Sequence, residues 1–102
     1  MNSFKTVAKV SDVARGRVKV VEVEGKRIAL CNVGGTIYAV DDLCTHDNGP
    51  LGEGELFNDQ IECPRHGARF DVKSGKVTCL PAVIPVKTYE VKAEGGEVMI
   101  SV

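Results

Sequence analysis

The stretch IECPRHGARFD, residues 61–71, places a cysteine and a histidine three positions apart in a chain that has only two histidines. The other histidine lies in the stretch CTH, residues 44–46, and sixteen residues separate it from Cys63. Each stretch can bring a thiolate and an imidazole from one tight loop to a common point, and both groups are good metal ligands. The candidate ligands are Cys44, His46, Cys63 and His66.

Length and composition predict one domain over residues 1–102. The hydrophobic content is 43%, enough for a modest core, and no apolar run is long enough to span a membrane. The N-terminus lacks the apolar segment and small-residue cleavage site of a secretory signal, so we expect a cytoplasmic protein. Four cysteines in a reducing compartment need a role other than disulfide formation.

Charge points to protein partners. Thirteen basic and fourteen acidic residues are spread along the chain without a block of either sign. This pattern provides no electrostatic footprint for nucleic acid or for an anionic membrane. The chain has no tryptophan, two tyrosines and three phenylalanines, too few for the stacking platforms of a single-strand binder.

Short β-favouring segments recur along the chain, and several are separated by turn glycines. Apart from a possible helical turn at Ser11–Ala14, no segment has apolar residues at helical spacing. Near the C-terminus Val98, Ile100 and Val102 alternate as one buried face. The class is therefore all-β, a small sandwich or barrel with a three-stranded meander and a closing hairpin. The predicted strands are 17–23, 27–33, 36–40, 60–63, 87–92 and 97–102.

The middle of the chain, residues 41–76, has a different composition. It holds several glycines and two of the four prolines, and only the strand at 60–63 is evident in it. Long loops within a compact domain are usually functional. Both cysteine–histidine pairs fall in this segment.

The four residues have two other interpretations. Buried cysteines and surface histidines could lie close in sequence by chance, but both histidines stand within three residues of a cysteine. Two thiolates and two imidazoles could also hold tetrahedral zinc. Zinc fingers usually pair like ligands, whereas each loop here mixes the types, which favours two irons with one on the cysteines and one on the histidines. Zinc remains an alternative metal for these four residues.

The pattern C-x-H, sixteen residues, C-x-x-H-G resembles that of Rieske [2Fe-2S] proteins. Phe70-Asp71, Ser74-Gly75, Pro81-Ala82 and the closing hairpin resemble features of the small Rieske ferredoxins in bacterial aromatic-ring dioxygenase systems. The resemblance implies one [2Fe-2S] cluster, with one iron on Cys44 and Cys63 and the other on His46 and His66.

The resemblance also implies a Rieske fold. A small antiparallel β-sandwich base, residues 1–41 and 70–102, would carry an inserted two-loop cluster-binding subdomain at about residues 42–69. A third, proline-containing loop would cover the cluster, and Leu80–Pro85 is its candidate.

The function implied by the resemblance is one-electron transfer from a ferredoxin reductase to a terminal non-haem iron oxygenase, by a monomer without catalytic residues. An oxygenase is disfavoured, because its iron site needs two further histidines and the chain is too short for a substrate domain. A Rieske-like small subunit of a nitrite reductase stays an open alternative. The residues expected to touch the partner, around the histidine ligands, are Asp47, Asn48, Arg65 and Pro81.

Four positions separate this chain from the respiratory members of the family. Those members have serine and tyrosine hydroxyls where Ala68 and Phe70 stand, and they join their loops by a disulfide where Gly49 and Arg65 stand. Hydrogen bonds to the cluster sulfurs favour the reduced state, and Ala68 and Phe70 offer none. We therefore expect a potential near the low end of the range of about −150 to +300 mV.

The remaining reactive side chains are expected to be structural. Cys31 and Cys79 lie outside the two loops and are interpreted as buried cysteines. The acidic residues Asp41-Asp42, Glu53 and Glu55 are interpreted as solvated surface and not as catalytic carboxylates.

Overall fold

The computed structural model describes residues 4–43, 49–64, 67–80 and 84–101, which form an all-β protein as predicted. No helix in these four ranges is long and apolar enough to cross a membrane. The strands are β1 (Phe4–Lys9), β2 (Val18–Val23), β3 (Lys26–Val33), β4 (Thr36–Asp41), β5 (Leu56–Phe57), β6 (Gln60–Glu62), β7 (Arg69–Asp71), β8 (Val77–Cys79), β9 (Thr88–Glu94) and β10 (Glu97–Ser101).

The larger sheet has six antiparallel strands in the order β1-β10-β9-β4-β3-β2. It contains the predicted meander β2–β3–β4 and the predicted closing hairpin β9–β10. The meander turns at Glu24-Gly25 and Gly34-Gly35 have positive φ at both central residues, 51° and 79° in the first and 61° and 100° in the second. Positive φ at both positions matches the right-handed twist of the flanking strands, which explains why glycine occurs there.

The smaller sheet has four antiparallel strands in the order β5-β6-β7-β8. Of these only β6 was predicted, because the other three contain two or three residues each and are too short for an alternating pattern. This sheet extends from Leu56 to Cys79 and so crosses the predicted boundary between residues 69 and 70. The division into base and subdomain stays a prediction.

Two short 3-10 helices connect these strands, at Val10–Asp12 and Leu51–Glu53. The first overlaps the helical turn expected at Ser11–Ala14. The second, which was not predicted, packs against β2 and β3. Its Leu51 side chain is fully buried, so the chain that returns from the first candidate ligand loop is fixed to the larger sheet.

Strand β3 is buried on both faces. Ile28 and Leu30 belong to one core cluster, and Ala29 and Cys31 belong to another. The first core includes Val98 and Ile100 of the predicted alternating face, and Val102, the third residue of that face, lies outside the described residues. The second core lies between the sheets and contains Ala29, Cys31, Val40, Leu51, Ile61, Cys63, Ala68, Phe70, Val72 and Val86.

Truncating Leu30 should destabilise the whole domain. Leu30 is fully buried, and Leu30→Ala should lower the free energy of unfolding by about 2–5 kcal/mol, as measured by chemical denaturation. The matched control is Leu80→Ala, because Leu80 is 72% exposed and should change stability by less than about 0.5 kcal/mol. Equal effects of the two substitutions would contradict the assignment of Leu30 to the core.

Candidate metal centre

Cys63 lies directly after β6, at the start of the loop that leads into β7. Its backbone N–H donates to the carbonyl of Ala68 over 2.7 Å, and the N–H of Gly67 donates to the carbonyl of Cys63 over 3.1 Å. Gly67 has φ +77°, a backbone conformation that residues with a Cβ rarely adopt. The two hydrogen bonds hold Cys63 against Gly67 and Ala68, so the two described ends of this candidate ligand loop lie side by side.

The side chain of Cys63 is 1% exposed and belongs to the core between the two sheets. Leu51, Ala68 and Phe70 belong to the same core and are fully buried. Side chains in such a core are closely packed and hold fixed positions. Cys63 is therefore held in a closely packed core to which residues of both sheets contribute.

The other candidate ligands lie outside the described residues. These are Cys44, His46 and His66, so the convergence of all four ligands stays a prediction. Within the described part of the chain, no three histidine, cysteine or acidic side chains form a group that could hold a metal ion. The expected partner contacts also lie outside it, and these are Asp47, Asn48, Arg65 and Pro81.

Both ends of the first ligand loop are described, and the Asp42 carboxylate connects them. Its Oδ1 accepts the backbone N–H of Gly52 over 2.5 Å, and its Oδ2 accepts Nε–H of Arg27 over 3.1 Å. The Asp42 side chain is fully buried, whereas that of Arg27 is 62% exposed. The expectation that Asp42 is solvated surface was wrong, because a cation and a backbone donor compensate its burial. Glu53 and Glu55 are exposed, as expected.

Asp41, the last residue of β4, is anchored separately. Its carboxylate accepts the hydroxyl of Tyr89 in β9 over 2.5 Å. Burial, together with this hydrogen bond and the negative charge of Asp41, raises the pKa of Tyr89 above its usual range. The hydrogen bond ties the end of β4, from which the first ligand loop begins, to β9.

The two cysteines outside the loops have different environments. Cys31 is fully buried in β3, as predicted, and burial raises the pKa of its thiol to about 12. Cys79 is exposed, so the prediction that it is buried was wrong. Cys79 ends β8, the edge strand of the smaller sheet, where residues have no neighbouring strand on one side.

The segment predicted to cover the centre, Leu80–Pro85, is described only at its ends. Leu80 is 72% exposed and Ile84 is 59% exposed, both unusually high for large apolar side chains. Residues 81–83 lie outside the described ranges, so the covering role of this loop stays a prediction.

Known proteins resemble this chain over nearly its whole length. The family description "Rieske [2Fe-2S] domain" matches residues 3–90. The ferredoxin component of the naphthalene 1,2-dioxygenase system of Pseudomonas putida is 50% identical over 91 residues, which are 89% of this chain and 88% of that protein.

Two solved structures are similar in fold and in sequence. The ferredoxin of Sphingomonas yanoikuyae B1 has a TM-score of 0.92 at 37% identity and covers 97% of this chain and 98% of its own. A chain from the complex of reduced oxygenase and oxidized ferredoxin in carbazole 1,9a-dioxygenase has a TM-score of 0.91 at 36% identity, covering 96% of this chain and 92% of its own.

The contrast between Cys31 and Cys79 predicts selective labelling. Iodoacetamide at pH 8 should modify the exposed Cys79 within minutes and leave Cys31 unmodified. The Cys31 thiol is inaccessible, and because its pKa is about 12 it stays protonated at pH 8. Peptide mass spectrometry distinguishes the two sites. Alanine at either position should leave the visible absorption of the holoprotein unchanged, and loss of that absorption would show that a ligand has been misassigned.

Proposed function

Because the chain belongs to the Rieske [2Fe-2S] domain family, we propose that it is a one-electron carrier that delivers electrons to a terminal oxygenase. The observation that carries this proposal is the 50% identity, over most of both chains, to a protein named as the ferredoxin component of a dioxygenase system. Its cofactor is a Rieske-type [2Fe-2S] cluster, so the zinc alternative is set aside.

We assign the cluster ligands as Cys44 and Cys63 on one iron and His46 and His66 on the other. The described residues fit such a group in their chemistry. Cys63 provides a thiol held in a closed loop, and Gly67 gives that loop its sharp turn beside His66. Asp42 fixes the two ends of the loop that carries the other pair. The assignment of Cys44, His46 and His66 is supported by their spacing alone.

The bound cluster supplies reversible one-electron chemistry. With two neutral imidazoles and two thiolates the oxidised centre is formally neutral, so adding an electron costs less than in a four-cysteine centre. The protein's part is to hold these ligands and to control what lies next to them. Ala68 and Phe70 are fully buried and have no side-chain hydrogen-bond donor, so neither side chain can stabilise the extra negative charge by a hydrogen bond.

The proposed partners are a ferredoxin reductase, as electron donor, and a terminal oxygenase, as acceptor. Support comes from the similarity to a chain of the carbazole 1,9a-dioxygenase complex, whose description names an oxygenase and a ferredoxin together. We also propose a cytoplasmic location. The three described cysteines are unpaired, and thiols persist in a reducing compartment.

Reconstitution tests the carrier role. The holoprotein is added to a purified reductase and terminal oxygenase of the naphthalene type with NADH, and product is measured with and without it. We expect product only when all three proteins are present, and no oxygen uptake by the holoprotein alone. Oxygen-dependent product from the isolated chain would overturn the proposal. Co-purification with one large protein at fixed stoichiometry would instead favour a permanent subunit.

The potential and the spectrum provide a second prediction. Reduction with dithionite should produce a rhombic electron paramagnetic resonance signal whose average g value lies well below that of a four-cysteine [2Fe-2S] centre. The midpoint should fall near the low end of the range of about −150 to +300 mV, because positions 68 and 70 lack donors. A clearly positive midpoint would contradict this explanation.

A substitution at position 68 tests whether the missing side-chain donor lowers the midpoint potential. Ala68→Ser introduces a hydroxyl and should raise the midpoint relative to the parent protein. Ala8→Ser is the control, because Ala8 lies in β1 of the larger sheet and should leave the midpoint unchanged.

A further inference from the structure

We infer that Asp42 is a positioning residue that sets the spacing between the two ligand pairs and thereby determines how firmly the cluster is held. The inference rests on the proposed ligand assignment. The side chain of Asp42 is not itself a ligand in that assignment. It acts through a series of contacts that begins at the first ligand loop and ends at the residue before Cys63.

The first contact closes the first ligand loop. Asp42 stands two residues before Cys44, and Gly52 stands beyond the end of the loop. The hydrogen bond from the N–H of Gly52 to Asp42 Oδ1 joins these two points. A Cβ on Gly52 would overlap Cγ2 of Val20 and come within 2.9 Å of Asp42 Oδ1, so this approach requires glycine.

The second contact joins that loop to the second one. After the 3-10 helix Leu51–Glu53 the chain turns at Gly54, whose N–H donates to the carbonyl of Leu51 over 2.9 Å. Gly54 lies directly against the backbone carbonyl of Glu62, which a Cβ at this position would overlap. The N–H of Glu62 donates to the carbonyl of Glu55 over 2.9 Å. Because Glu62 immediately precedes Cys63, the end of the first loop is fixed against the start of the second.

The third contact supplies the charge that keeps Asp42 in place. A fully buried carboxylate is costly unless its oxygens are paired, and the guanidinium of Arg27 and the N–H of Gly52 pair both. The backbone is tied at the same point, since the N–H of Asp42 donates to the carbonyl of Arg27 over 3.0 Å. Loss of the Arg27 or the Gly52 contact would leave the buried Asp42 carboxylate incompletely paired. Asp42 should then shift toward water, and the distance between the two ligand pairs should no longer be fixed.

The experiment uses the holoprotein and two substitutions, each with a matched control. Asp42→Asn keeps the shape and one acceptor but removes the charge, and its control is Asp59→Asn, because Asp59 forms a weak pair with Lys73 at 3.9 Å. Arg27→Met keeps the apolar stem and removes the cation, and its control is Lys26→Met at the neighbouring exposed position. Arg27 is largely exposed, so this second variant should fold even if the first does not.

Three quantities are measured for each variant. They are the rate at which the visible absorption is lost in the presence of a chelator, the g values of the reduced centre, and the midpoint of unfolding followed by circular dichroism. We expect Asp42→Asn and Arg27→Met to lose the cluster about tenfold faster than their controls, a typical effect of a residue that orients metal ligands. The g values should shift as well, because the ligand geometry changes.

Two results would overturn the inference. In the first, the rates of cluster loss for Asp42→Asn and Arg27→Met equal those of the controls. In the second, cluster loss accelerates only in proportion to a lower unfolding midpoint while the g values stay those of the parent, which would make Asp42 a purely structural residue. Failure of the ligand assignment is distinguishable, because the parent protein would then lack the signal of a mixed-ligand cluster before any substitution is made, and the inference would fall with it. Failure of the carrier role would instead leave that signal intact and show as a reconstituted system that forms no product.

Discussion

The two-sided burial of β3 is the constraint on which the rest of the structure depends. Alternate residues of this strand enter different cores, Ile28 and Leu30 on one face and Ala29 and Cys31 on the other. The first core holds the larger sheet together, and the second attaches the smaller sheet to it. Cys63 belongs to the second core, so the one described ligand is positioned by the strand that also organises the base.

A buried carboxylate at the edge of the candidate centre requires a reason, since burial of a charge is expensive. Two hydrogen-bond donors from different parts of the chain compensate the burial of Asp42. They are Arg27 in β3 and the backbone of Gly52 beyond the first loop. Both oxygens are therefore committed. An apolar side chain could fill the same space, but it could not bind a backbone N–H and so could not specify where the returning chain lies.

The sequence predicted those elements whose signals are local. The strands of the meander and of the closing hairpin are long enough to alternate, and glycines mark their turns at Gly25, Gly35 and Gly96. The strands β5, β7 and β8 exist because they pair with one another, and segments of two or three residues carry no periodicity of their own. Strand β1, formed by pairing with β10, was missed as well.

In the candidate site, too, the features with a local sequence signal were predicted and those that depend on tertiary contacts were not. The cysteine–histidine spacing identified the family, because it is a local pattern, and the tight turn at Gly67 could be expected from the glycine after His66. The burial of Asp42 could not be predicted from the sequence, since its partners Arg27 and Gly52 stand fifteen and ten residues away. The exposure of Cys79 depends on which strand lies at the sheet edge, and that is a property of the assembled sheet.

The shared strand also governs how the molecule opens. A sheet with its own core could detach and reclose as an independent unit, and its amides would exchange with solvent through that local event. Here the smaller sheet cannot leave without exposing one face of β3, which remains bound on its other face to the larger sheet. Local opening of the smaller sheet should therefore cost the burial of the shared core, and the loop that holds Cys63 should be protected to the same extent.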